Sequence, residues 1–171
     1  MKTSVIAASV AVLLASFGAL AANQGSGVVN FKGTVIDAPC GIDPTSADQS
    51  IDFGQISKTQ LATGGISKQQ PVDIKLVNCD VSSLTKGVQV TFSGNTVSGT
   101  ATELATAGTT NTAVVINGYG SDIAYGTATS DIQLQNGDNT LHFTSWAKQA
   151  TGKAVAEGDF TAVANFNLTY Q

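Results

Sequence analysis

The sequence closes on Gly158-Asp159-Phe160-Thr161-Ala162-Val163-Ala164-Asn165-Phe166-Asn167-Leu168-Thr169-Tyr170-Gln171. Gly158, Phe160, Ala162, Ala164, Phe166, Leu168 and Tyr170 take alternate positions, and Asp159, Thr161, Asn165, Asn167 and Thr169 dominate those between. A two-residue period belongs to an extended strand with one apolar and one polar face. Outward from this stretch the same period returns. Val29, Phe31, Gly33 and Val35 alternate with Asn30, Lys32 and Thr34, and Pro39 ends the run just before Cys40. Further strands are predicted at residues 51–55, 72–79, 88–93, 112–117, 132–134, 141–148 and 160–170. Between them stand turn pairs such as Asp43-Pro44, Gly64-Gly65, Asn117-Gly118, Asn136-Gly137 and Thr151-Gly152. No window holds a 3.6-residue apolar period, although residues 102–107 suit a short turn of helix. Many short strands with Gly and Asn turns between them read as an all-β sandwich in a single domain.

Composition narrows the function. Charged residues make up 12% of the 171, against roughly 25% in an average soluble domain. All eight basic residues are lysines and face twelve carboxylates, so the arginine forks and basic face of a nucleic-acid binder are missing. Abundant Gly and Thr, with no Arg and two Glu, favour strands over helices.

Met1 and Lys2 give a positive start to the apolar run at residues 5–15, and Ala19-Leu20-Ala21 supplies the small residues that a signal peptidase reads. Residues 1–21 are therefore expected to be a signal peptide, cleaved before Ala22. The run falls short of the about 18 apolar residues a membrane span needs. Export brings an oxidising compartment, in which Cys40 and Cys79, the only two cysteines, are expected to pair. The bridge would close a loop of about 40 residues, worth roughly 4 kcal/mol in the loop-entropy model.

Candidate chemistry does not converge. His142 falls on the strand face opposite Leu141 and Phe143, and no G-x-S-x-G elbow accompanies it. Asp37, Asp43, Asp48 and Asp52 lack calcium-loop spacing, and Gly118-Tyr119-Gly120 is too short to cradle phosphate. No metal, cofactor or catalytic residue is expected, and the chain reads as no enzyme. A secreted carbohydrate-binding sandwich, with Trp146, Tyr119 and Tyr125 lining a sugar site, is the reading from another class.

The two ends carry a more specific signal. A glycine fourteenth from the end, a penultimate tyrosine and alternating apolar residues between them resemble the C-terminal β-zipper of chaperone–usher pilins. Residues 27–40, GVVNFKGTVIDAPC, resemble the donor strand and first-strand start of type 1 and P-type shaft pilins, and Lys75-Leu76-Val77-Asn78-Cys79 matches the second cysteine motif. The resemblance implies an immunoglobulin-like β-sandwich lacking its last strand, completed by a donor strand from a neighbouring subunit. It implies a donor extension at residues 22–36, carried by Gly27, Val29, Phe31, Gly33 and Val35, and a pilin domain at residues 37–171. The groove strand that a chaperone or donor engages would carry Gly158, Phe160, Phe166, Leu168 and Tyr170. Implied partners are identical or related pilin subunits joined head to tail, a periplasmic chaperone and an outer-membrane usher. The product would be a surface fimbria supporting cell adhesion, with a minor adaptor or terminator subunit as the alternative within the family.

Overall fold

In the computed structural model of the chain, residues 26–171 are described; the expected signal peptide lies outside them. The chain divides into two units between Val35 and Ile36. Of the first, residues 26–35 belong to no helix or strand. Ile36–Gln171 carries all the secondary structure that follows.

The larger sheet of that unit is built around β8 (Gly137–Gln149), whose buried and accessible residues alternate from Asn139 to Trp146. Leu141, Phe143, Ser145 and Ala147 turn inward, whereas His142 and Thr144 turn out. On one side β8 pairs antiparallel with β2 (Gln70–Cys79), Ile74 opposite Leu141. On the other it pairs with β6 (Thr112–Gly118), Ile116 opposite Ser145. The short strands β1 (Gly41–Ile42), β4 (Leu104–Ala105) and β7 (Ser121–Asp122) extend these edges, β1 on β2 and the other two on β6. A second sheet pairs β3 (Val88–Ser93) with β10 (Asn165–Tyr170). A third joins β5 (Ala107–Gly108) to β9 (Phe160–Thr161). Val88, Val90 and Phe92 of β3 pack on Leu76, Leu141 and Phe143, and Phe92 meets Phe143 edge-on with ring centroids 5.1 Å apart. The result is an incomplete immunoglobulin-like sandwich.

Cys40 and Cys79 are bonded, as expected, with their Cα atoms 4.1 Å apart. The bond closes the register of β1 on β2, in which Gly41 faces Val77.

Several expectations are corrected. Residues 29–35 and 51–55 form no strand, because a strand needs a hydrogen-bonded neighbour and neither has one here. In the second stretch Asp52 Oδ1 accepts from the Gly54 amide at 2.7 Å, which turns the backbone locally. Residues 132–134 shrink to one bridge, Val88 with Ile132. Residues 102–107 hold β4 and the start of β5, not helix. The terminal stretch 160–170 splits into β9 and β10 because its partner changes from Gly108 to Ser93. Two short helices were not anticipated. In α1 (Pro44–Ala47), Asp43 caps the Thr45 amide at 2.8 Å and Pro44 takes the first turn; α2 is Lys58–Ala62.

Among the described residues one charged group is folded inside. Glu103, whose side chain is 5% exposed, meets Lys148 Nζ at 2.6 Å. It also accepts the Thr151 amide at 2.9 Å and the Thr151 hydroxyl at 2.7 Å. Burial alone would raise its pKa, but the bonds from Lys148 and Thr151 together hold it below the usual carboxylate value. A depressed folded pKa contributes stability above the unfolded pKa and loses it as pH falls through the folded one. Glu103→Gln should therefore cost about 1–3 kcal/mol at neutral pH. Urea titrations of both proteins down into the acid range should show that difference shrinking; a difference independent of pH would refute the assignment.

Candidate functional site: an open groove

The register of β10 on β3 decides what its far side offers. Phe166 faces Phe92, Leu168 faces Val90 and Tyr170 faces Val88. Just beyond, the Gln171 amide donates to Gly87 O at 2.9 Å and Gln171 O accepts from Thr85 and Lys86. In an antiparallel ladder alternate residues point their N–H and C=O to opposite sides. Gln171, Thr169, Asn167 and Asn165 thus address β3, and Phe166, Leu168 and Tyr170 turn their amides to the other edge. Among the described residues no strand pairs with that edge.

Side chains alternate with the same period, so these three residues also turn toward the core. There they are only half-buried, packed against it without being covered. One edge therefore exposes unpaired amides and core side chains together, the combination that folded proteins avoid.

Beside this edge runs a groove. Its deep part, about 1150 Å³, is lined by Phe92, Leu104, Val114, Ile116, Phe160 and Phe166, among others. Its shallow end, about 170 Å³, lies between Ile36, Ala38 and Ile42 on one side and Leu168 and Tyr170 on the other. Ile42 and Phe166 line both parts, so the two are continuous. Phe53 stacks on Phe160 with ring centroids 6.3 Å apart. Half-buried Ile51 and Phe53 place the second wall along residues 51–53, the alternation noticed in the sequence.

Of the residues expected at the groove, Phe160, Phe166, Leu168 and Tyr170 stand there together, and burial raises the Tyr170 phenol pKa. Gly158 also borders it, for a reason of its own. Its φ is +140°, and a Cβ there would lie 2.9 Å from Thr109 Oγ1. The expected donor residues include an exposed apolar row: Val29, Phe31 at 91% and Val35 at 100%. Gly33 has no positive φ, and a Cβ on it would meet nothing within 4 Å. The walls at Ile36, Ala38, Ile42, Phe92 and Leu104 were not singled out from sequence; only the 51–53 alternation pointed to one of them.

Elsewhere among the described residues the candidate side chains form no second centre. His142 Nδ1 stands 2.8 Å from Asp73 Oδ1 on the solvent face of β2 and β8. Tyr125 is in the core with its hydroxyl donating to Val114 O at 3.4 Å, which removes it from any sugar platform. Tyr119 packs edge-on against Phe143 at the β6–β7 hairpin, and Trp146 is half-buried on the outer face. Neither borders the groove. Among the described residues no group of three or more His, Cys, Asp or Glu could hold a metal.

The model of the family described as fimbrial protein matches residues 29–171. The chain belongs to that family. Its relatives include major pilins of similar length. It is 48% identical to the Pap fimbrial major pilin protein of Escherichia coli over 100% of both chains. A subunit from a solved chaperone–usher pilus superposes with a TM-score of 0.82 at 48% identity, covering 86% of this chain and 97% of that one. The P pilus rod subunit PapA gives a TM-score of 0.75 at 47% identity, over 78% of this chain and all of the other.

The geometry predicts a deficit that one strand can fill. Residues 25–37 fused after Gln171 through a short flexible linker would run back antiparallel to β10. Burial of Val29, Phe31 and Val35 at about 1.5–3 kcal/mol each, plus ladder hydrogen bonds at about 0.5–1.5 kcal/mol net apiece, should raise the melting temperature by at least about 10 °C. Calorimetry of the bare and fused chains checks this; equal melting would mean that no strand is missing.

Proposed function

We infer that this fimbrial protein is a structural subunit of a chaperone–usher pilus, one that polymerises with other pilin subunits into a surface fimbria. Its major-pilin and rod-subunit relatives support this. It is a structural protein and not an enzyme. The observation that carries the reading is the complementarity of two features of one chain: among the described residues, an exposed apolar row at residues 28–35, and an apolar groove beside a strand edge that no strand pairs.

Residues 22–36 of one copy are the donor extension, whose last residue, Ile36, also lines its own copy's groove. Gly27, Val29, Phe31, Gly33 and Val35 turn into the groove of the next copy, beside Phe160, Phe166, Leu168 and Tyr170. Residues 37–171 form the acceptor domain. The inserted strand supplies partners for the amides of Phe166, Leu168 and Tyr170, which is strand addition between molecules. It also gives residues 51–55 the neighbour they lack, so their alternation becomes a strand only in the filled groove. Donor and acceptor lie on different parts of the chain, so the contact is heterologous and a filament grows without closing.

Before assembly the groove needs a temporary occupant, because a monomer with this edge bare aggregates. A periplasmic chaperone lending a strand fills that need, and an outer-membrane usher hands the subunit to the growing fibre. Passage through the periplasm after removal of residues 1–21 fits the Cys40–Cys79 bond, which forms in oxidising compartments. The shaft role is favoured over a minor adaptor by the identity to a major pilin along the full length of both chains.

Gly33 separates assembly from folding. Gly33→Leu should leave the melting of its own domain unchanged, since nothing lies within 4 Å of a Cβ there. In the next subunit's groove the added side chain overpacks, at about 1–3 kcal/mol or more. Oligomer ladders on unheated gels should then be lost while the variant still accepts a wild-type donor. Polymerisation at the wild-type rate would remove residues 29–35 from the donor role.

A further inference from the structure

Alternation that sends Val29, Phe31, Gly33 and Val35 into a groove sends Asn30, Lys32 and Thr34 to its mouth. Lys32 is the only charged residue between Ser26 and Ile36. It is exposed, and no ion pair holds it among the described residues. It also sits next to the middle of residues 27–35, so it lies over the middle of the groove whichever way the strand runs. The mouth of the deep part is bordered by Asp48, Asp52, Glu157 and Asp159 against one cation, Lys58. Lys58 is already engaged by Glu157 at 3.4 Å. Asp48, Asp52 and Asp159 remain, all exposed, on the two walls between which the donor enters.

We propose that Lys32 of one copy pairs with the Asp48 and Asp52 side of the next copy's groove mouth, and that this charge pairing selects and steers the incoming donor. The proposal rests on the donor reading above and adds to it a determinant that apolar packing does not supply. Copies of a chain with a formal net charge of −4 repel one another at long range. A single positive residue on the segment that must lead, facing carboxylates at the entrance it must find, reverses that repulsion where insertion begins. Charges at the rim of an interface act chiefly on association rate and on the rejection of wrong partners. The groove therefore discriminates against extensions with an acidic or neutral residue at this outward position, even when their apolar rows match.

The test compares polymerisation rates of purified full-length mature chains at roughly 20 mM and 500 mM salt, where screening lengths run from about 20 Å to about 4 Å. Lys32→Glu should polymerise about tenfold more slowly than wild type at low salt, with the gap closing at high salt. Asp48→Lys with Asp52→Lys should do the same. A chain carrying all three changes reverses both signs and should recover most of the rate. Phe31→Ala is the control for the donor reading. If Phe31→Ala blocks assembly while Lys32→Glu polymerises at the wild-type rate in low salt, the charge pairing is wrong and the donor strand stands. Failure of the triple variant to recover overturns the Asp48 and Asp52 assignment. Wild-type assembly by Phe31→Ala overturns the donor reading and this proposal with it.

Discussion

The molecule is organised around the unpaired edge of β10. Phe166, Leu168 and Tyr170 each present an amide to that edge and a side chain to the core, because the ladder and the side chains alternate with the same period. A loose apolar ligand would cover the side chains and leave the amides bare, whereas water satisfies the amides and leaves the side chains wet. Only another extended backbone with apolar residues at every second position meets both requirements. The same chain carries such a segment at residues 27–35, and in a series of copies each segment can serve its neighbour.

An acceptor that lacks a strand still has to hold its walls in place. At the shallow end one wall is residues 36–42, opposite Leu168 and Tyr170. That wall is held by the short ladder of β1 on β2 and by the Cys40–Cys79 bond next to it. Two paired residues make a weak strand alone, so the disulfide fixes the wall where hydrogen bonds are few. Next to Leu104, which lines the larger part of the groove, Glu103 ties the loop before β4 to Lys148 of β8 and to Thr151 beyond it. Both devices rest on local bonds and not on the missing core, which suits a domain whose core is completed by another molecule.

Sequence periodicity recovered β2, β3, β6 and β8 because these strands have a solvent face and a core face, or are buried throughout, and find their partners within the chain. It placed strands at residues 29–35 and 51–55 that the isolated chain does not form. Alternation reports which side chains share a face; it does not report whether a neighbour exists to receive the amides. The break between β9 and β10 was invisible for a related reason: alternation runs on while the pairing partner changes from β5 to β3. Helices α1 and α2 are four and five residues long, too short to show a 3.6-residue period. The apolar half of the groove could be read in this way. Its rim could not, because Asp48 and Asp52 sit in an irregular segment whose position across from Asp159 is a product of the fold.

Two glycines that alternation treats alike show where the limits of one chain lie. Gly158 and Gly33 both occupy a position of an apolar row where a larger side chain would be expected. At Gly158 the chain itself supplies the reason: a backbone with φ of +140° and Thr109 close by exclude a side chain within the monomer. At Gly33 the monomer supplies none, since the backbone is ordinary and the space around it is empty. A glycine in a strand interior weakens the strand unless something approaches closely. If the constraint on Gly33 is steric, the atoms that impose it belong to another molecule. The small side chain is then a feature of the interface written into a segment that, in the free subunit, touches nothing there.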